Sequence, residues 1–347
     1  MNPVLTNPPT TDPAQLLRYR DRQYAAELIT AGLMHLDFFT WLNENAGATT
    51  EAVCDHFDFV ARPADVFFTL CRSNNFITTD SDGKNELTSL AREHLVVGSP
   101  WYLGPYYAPI TQTQIVQDFV NILKTGNPAN WQADDDASDW HESMVDPEFA
   151  KNFTDLMNCR GLGFGQLLAK ALTIEVADRK HLLDVGGGSG IYSTTLVAAH
   201  PHLRATVLEQ PPVDALTQKE IEKHGLADKV NVLSGDMFTD PWPADADMVL
   251  FSNVLHDWDF PEMESLLEKA AQNLPSGGLL IIHDAFINDD KSGPTAVAEY
   301  SALLMNITQG KCYSPLEYGQ ILEKHGFDVG DYHDTVADRG YMTAIRK

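Results

Sequence analysis

The sequence predicts an α/β protein: a doubly wound, mostly parallel sheet of seven strands in its second half, preceded by a mainly helical region with a winged-helix-like module. Three observations carry this reading. From His181 onward, short apolar runs alternate with helical-period segments, the pattern of parallel strands joined by crossover helices. The apolar run Leu182-Leu183-Asp184-Val185 opens straight into Gly186-Gly187-Gly188-Ser189-Gly190, where glycines permit a tight strand-to-helix turn and let backbone N–H groups approach a ligand. Before His181, apolar residues recur mainly at three- and four-residue steps, as on one face of a helix.

Taken in order, residues 1 to 12 are rich in Pro, Thr and Asn and read as a loose tail or an arm laid on a neighbour. From Pro13 a broad amphipathic helix is expected through Tyr24, Leu28, Leu33, Leu36, Phe39 and Leu42. Thr49-Thr50-Glu51-Ala52 has the form of a helix start, with a hydroxyl cap before an acidic first turn. A second helix follows near Pro63 to Ser73, then strand, turn and strand at Phe76-Ile77-Thr78, Asp80 to Gly83 and Asn85 to Thr88. Aromatics crowd Trp101 to Pro109, where they fill core or wall a pocket for a flat substrate. A helix is expected at Ile115 to Leu123, the acidic run Asp134-Asp135-Asp136 reads as a solvated loop, and two helices are expected at Pro147 to Met157 and Leu162 to Leu172. Strands are then expected at 181–185, 205–209, 230–235, 248–253, 279–284, 327–332 and 341–346, the last two forming an antiparallel hairpin.

Charge and cysteine usage narrow the function. The 347 residues carry 24 Lys+Arg against 49 Asp+Glu, a net charge of −25, which repels phosphate backbones and anionic membranes. Within Thr49 to Gly98, four cations (Arg62, Arg72, Lys84, Arg92) face eight acids, so the winged-helix-like module is read as a packing or dimerisation unit rather than a DNA reader. No nucleic-acid partner is expected. No charged-then-apolar signal stands before Asp12 and no run is long enough to span a bilayer, so a cytoplasmic protein without membrane contact is expected. Cys54, Cys71, Cys159 and Cys312 lie far apart, which suggests neither a disulfide framework nor a metal site.

Ligands of an open α/β sheet sit beyond the carboxyl ends of its strands. Those ends read Asp184 with its glycines, Glu209, Gly235-Asp236-Met237-Phe238, Ser252 to Trp258, and His283-Asp284. The dinucleotide fingerprint fails, since Ile191 or Ser193 stands where its last glycine is needed, and the phosphate loop ending in Gly-Lys-Ser/Thr is absent. Acids around closely spaced glycines suit a cofactor with an adenosine and a positive sulfonium but no phosphate, namely S-adenosylmethionine.

Leu183-Asp184-Val185-Gly186-Gly187-Gly188-Ser189-Gly190, Gly235-Asp236-Met237-Phe238, His256-Asp257-Trp258-Asp259 and Pro275-Ser276-Gly277-Gly278, in this order, resemble the S-adenosylmethionine-dependent O-methyltransferases of the caffeate, hydroxyindole and bacterial antibiotic-tailoring type. The resemblance covers nearly the whole chain. It implies a Rossmann-like catalytic domain (176–347), a helical linker lending residues to a substrate pocket (101–175), and a helical dimerisation domain (1–100), hence a homodimer. It further implies cofactor contacts at Asp184, Gly186, Gly188, Glu209, Asp236, Met237 and Ser252, with His256 as general base and Asp284 as an acid beside it. Pocket positions are expected at Phe153, Met157, Asn158, Leu304 and Cys312, although core packing also accounts for the first three. Cys312 departs from the pattern, standing where many relatives have a second glutamate beside the histidine; Ser252 stands where plant members carry a lysine.

An ordinary histidine of pKa about 6.5 facing a phenol of about 10 leaves a gap of roughly 5 kcal/mol. The expected substrate is therefore a small aromatic whose hydroxyl is an acidified phenol or an enol. Methylation at nitrogen or carbon, non-methylating chemistry, and a regulator that binds the cofactor without turnover stay as alternatives.

Overall fold

In the computed structural model, which describes residues 3–129 and 144–347, the chain packs as two units. One holds residues 1–15, 132–286 and 315–347, the other residues 16–131 and 287–314. The run Asp134-Asp135-Asp136 lies outside the described residues. The segment 101–175 is shared out, its first helix packing in one unit and its last in the other.

The chain opens with a 3-10 turn, Pro3–Leu5. Leu5 is fully buried and Gln166 donates to the carbonyls of Val4 and Asn7, so the expected loose tail is tied to its own chain. The helix expected from Pro13 is broken into α1 (Ala14–Asp21), α2 (Ala25–Thr30), a π-helical turn Ala31–His35, and α3 (Phe38–Glu44). Asp37 adopts a left-handed φ of 49° before α3, a conformation that ends one helix and starts another. Then come β1 (Ala48–Thr49), α4 (Thr50–Phe57), α5 (Ala61–Ser73), β2 (Ile77–Thr79), β3 (Lys84–Leu87) and α6 (Ser89–His94). Thr49 caps α4 by accepting from the Ala52 N–H at 3.2 Å, as its hydroxyl predicts. The strands pair antiparallel in the order β1-β3-β2. Phe38 centres this unit's core, its ring 4.9 Å from Phe67 and 5.1 Å from Phe39. The helices α7 (Gly104–Tyr107) and α8 (Gln114–Thr125) follow. The aromatic stretch before them is not core: Trp101 is 60% and Tyr106 85% exposed.

α9 (Pro147–Ala171) is one helix of 25 residues, capped by the Asp146 carboxylate, where two were expected. It contains Gly161, Gly163 and Gly165. A Cβ on Gly161 or Gly165 would lie 2.5 Å from Ile191 or 2.4 Å from Thr195, so they serve close helix packing and leave the helix whole.

The sheet unit continues with β4 (His181–Val185), α10 (Ile191–Ala199), β5 (Arg204–Glu209), α11 (Val213–Lys223), β6 (Val230–Ser234), β7 (Met248–Ser252), α12 (Phe260–Asn273) and β8 (Leu279–Asp284). After α13 (Thr295–Ile307), in the helical unit, it closes with α14 (Pro315–Lys324), β9 (Phe327–Asp334) and β10 (Gly340–Arg346). The order is β6-β5-β4-β7-β8-β10-β9, with β10 antiparallel between β8 and β9 and the first five strands parallel. This is the mixed α/β architecture expected, seven strands included. β4, β7 and β8 are buried along their whole length, which is why they read as unbroken apolar runs. Register aligns their carboxyl ends: Val185 pairs with Leu208, Glu209 with Ser234, and Ser252 with His283. No helix among the described residues is long and apolar enough to cross a membrane.

Candidate active site

The turn after β4 is held open by backbone geometry that only glycine takes without strain. Gly186 and Gly188 have φ of +64° and +56°, and a Cβ on Gly188 would point into open space. Gly186 lies against two other strand ends: a Cβ there would be 3.2 Å from Val254 and 3.7 Å from the Met237 sulfur. Gly187 has no room, its missing Cβ falling 2.7 Å from the Asp184 carboxyl carbon and 2.7 Å from Val207. Gly187→Ala is expected to cost about 1–3 kcal/mol by overpacking, read as a lower Tm in thermal unfolding.

Two acids flank this turn, and burial raises the pKa of both. Asp184 is fully buried; its Oδ2 accepts from the Ser193 hydroxyl at 2.7 Å, while Oδ1 has no hydrogen-bond partner among the described residues. Burial pushes its pKa up to about 6 against the pull of Ser193. Glu209 accepts from the N–H groups of Gly188 and Gln210, each at 2.9 Å. Burial still outweighs those donors and raises it to about 7. In both carboxyls burial is the larger effect and the hydrogen bonds the smaller.

The third strand end is a self-supporting turn. Asp236 accepts from the Phe238 N–H at 2.6 Å, and its own N–H donates to Asp240 at 2.8 Å. Asp236 is exposed and Met237 half-buried. Asn158, expected in a substrate pocket, accepts from Ser189 of the glycine turn at 2.9 Å. Phe153 stacks on Phe149 and packs in a small cluster with Val213 and Leu216 of α11. Met157 is half-buried on the same helix, its sulfur 3.3 Å from Arg160 Nη2. Leu304 and Cys312 belong to the helical unit, both buried; the Cys312 N–H donates to Ser301 Oγ at 3.0 Å.

The turn Leu255–Asp257 after β7 presents His256, which is 3% exposed. Its Nδ1 is hydrogen-bonded to Asp284 Oδ1, an oxygen that also accepts from the Ala285 N–H at 2.7 Å. Asp257 Oδ1 stands 3.5 Å from Nε2. Burial alone would lower the imidazole, but Asp284 and Asp257 outweigh it and hold the pKa above the ordinary value. With Nδ1–H donated to Asp284, neutral His256 carries its lone pair on Nε2.

Several members of this site were not named from the sequence. Arg160 of α9 donates to Asn253 Oδ1 at 3.2 Å, and Asn253 donates to Tyr192 at 3.1 Å and to Ser252 at 3.2 Å. Ser252 in turn shares a 2.8 Å hydrogen bond with His283, which burial keeps neutral with a pKa of about 3. Ser252, expected at the cofactor, is thus the middle of a buried polar chain. Asn253 has φ +54°, a left-handed position that asparagine tolerates; an Asn directly after a strand was the signal available. Arg160 was legible only as a lone cation on a largely apolar stretch of helix.

An edge that gathers glycines, buried acids and a carboxylate-bound histidine suits a nucleoside cofactor better than a phosphate. The chain belongs to the S-adenosylmethionine-dependent O-methyltransferases: the sequence model of the O-methyltransferase domain matches residues 117–328. It is 31% identical over 270 residues to the 3-hydroxy-5-methyl-1-naphthoate 3-O-methyltransferase of Streptomyces sahachiroi, covering 76% of this chain and 75% of that one. An L-tyrosine C(3)-methyltransferase of Streptomyces lavendulae is 35% identical over 191 residues, 54% and 52% of the two chains. An O-methyltransferase family 2 protein of Planctomyces limnophilus, solved with apigenin, superposes with a TM-score of 0.87 at 30% identity, covering 99% of this chain and 98% of that one.

Proposed function

We propose that the protein transfers the methyl group of S-adenosylmethionine to a hydroxyl of a small aromatic or enolic metabolite, with His256 as general base, leaving S-adenosylhomocysteine. The observation that carries this is the buried His256–Asp284 pair at the sheet edge that also holds the buried carboxyls of Asp184 and Glu209. These residues fit the cofactor chemically. Glu209 offers a carboxylate to ribose hydroxyls, Asp236 and Met237 form the adenine side, and Asp184 with Gly186 and Gly188 receives the methionine part with its ammonium. Arg160 supplies the cation that the methionine carboxylate needs, and Ser252 holds its neighbour Asn253. When bound, the cofactor supplies an electrophilic methyl on a positive sulfur.

The chain's own work is to exclude water, orient the acceptor and take one proton. His256 Nε2 accepts the hydroxyl proton as attack proceeds, and the carboxylates of Asp284 and Asp257 stabilise the imidazolium that forms. Raising the histidine pKa narrows the gap to a phenol, so an acceptor acidified by a ring carbonyl or carboxyl is matched best. The homodimer and a cytoplasmic site of action belong to this proposal; exposed Trp101, Leu103 and Tyr106 in the helical unit support the first as an association surface. Methylation at a ring carbon is the second reading, supported by the tyrosine C(3)-methyltransferase relative.

Incubation with methyl-labelled cofactor and a panel of phenols, quinones and hydroxyindoles tests both. Label on oxygen, located by mass spectrometry, is the expected result. Label on carbon would replace the first reading by the second, and cofactor binding with no methylated product from any acceptor would sink both.

A further inference from the structure

Lys269 lies on α12, outside every motif considered above, yet its ammonium is spent on the loop after β6. Nζ donates to three main-chain carbonyls of that loop: Met237 at 2.9 Å, Phe238 at 3.0 Å and Asp240 at 2.6 Å. A lysine has three N–H donors, and all three are used. The Met237 carbonyl is shared with Trp242 Nε1 at 3.1 Å, and Nζ lies 5.2 Å from the Trp242 ring centre. Asp236 and Asp240 add attraction from the same side, though burial leaves the ammonium less favoured than in water.

The loop needs such a tie. It is five residues of irregular backbone whose carbonyls converge, an arrangement that repels itself without a cation at its centre. It is also restrained by the Asp236 turn, by Trp242 on the Met237 carbonyl and by the edge-on contact of Phe238 with Trp258, ring centres 4.9 Å apart. Trp258 follows His256 by two residues, and α12 starts two residues later, at Phe260. One helix therefore starts at the general base and, three turns on, reaches back to the adenine side.

Resting on the methyltransferase reading above, we infer that Lys269 is a positioning residue that fixes the 236–240 loop in the shape that receives the adenine of the cofactor. It does not touch the cofactor; it sets the backbone that does. Binding to a loop that is competent only part of the time weakens by that fraction.

The test is titration of Lys269→Met and Lys269→Arg with S-adenosylhomocysteine and with methylthioadenosine, which lacks the amino-acid part. For Lys269→Met, Kd is expected to rise roughly tenfold for both ligands, with faster amide hydrogen exchange over 236–242 in the ligand-free protein. The acceptor KM and the kcat at saturating cofactor stay near native, and Lys269→Arg recovers part of the affinity. Unchanged Kd and exchange in a folded Lys269→Met protein would overturn the inference and leave the methyltransferase reading standing. A loss for S-adenosylhomocysteine alone would move the residue to the methionine end and overturn it too. Failure of the native protein to bind either ligand would overturn both.

Discussion

His256→Ala is expected to lower kcat by about 10²- to 10⁴-fold, the range of a lost general base, while the Kd for S-adenosylhomocysteine changes by less than about threefold. The split follows from where the residue stands. His256 is anchored through Nδ1 to Asp284 on β8, whereas the acids and glycines of the cofactor turn hang from β4 and β5. Removing the imidazole leaves those strands and their register intact, so binding should survive. Isothermal titration and initial rates on the same preparation give the two numbers. Equal losses in both would mean that His256 is a cofactor residue and not the base.

Asp284→Asn is expected to reduce the plateau kcat/KM by at least about tenfold and to shift the acidic limb of its pH profile to lower pH. In the native protein Asp284 and Asp257 raise the His256 pKa above its ordinary value against the burial that lowers it. Protonated His256 cannot act as a base, so the native rate climbs with pH until that raised pKa is passed and then levels. Asparagine keeps an oxygen for the His256 Nδ1–H and for the Ala285 N–H, so geometry survives while the negative charge goes. Each pKa unit lost makes the base weaker by about 1.4 kcal/mol. A rate profile whose limb does not move, with turnover reduced, would assign Asp284 a purely steric role.

The sheet was legible because buried parallel strands leave apolar runs, and β4 and β8 were readable to the residue. What failed were elements whose logic is tertiary. The glycines of α9 look the same in sequence whether they end a helix or admit another one, and only the side chains of Ile191 and Thr195 decide. In the site, strand-end residues such as Glu209, Asp236 and Asp284 could be read from their place in the alternating pattern. Asp257 and Lys269 could not, because one is distinguished by a 3.5 Å approach to Nε2 and the other by three carbonyls far from it in sequence. Asn158, expected in the pocket, shows another such contact, accepting from Ser189 of the glycine turn.

The path of the chain bears on how the protein is made. The sheet unit is assembled from three separate stretches, and 162 residues separate Val4 from Gln166, which ties it down. During synthesis the carbonyls of Val4 and Asn7 wait for Gln166 until α9 has left the ribosome. The sheet stays open longer still, since β10 lies between β8 and β9 but is synthesised last, and contacts so distant along the chain form slowly. The edge of β8 is thus the surface most in need of protection on the nascent chain, and no single cut in the finished protein separates its two units.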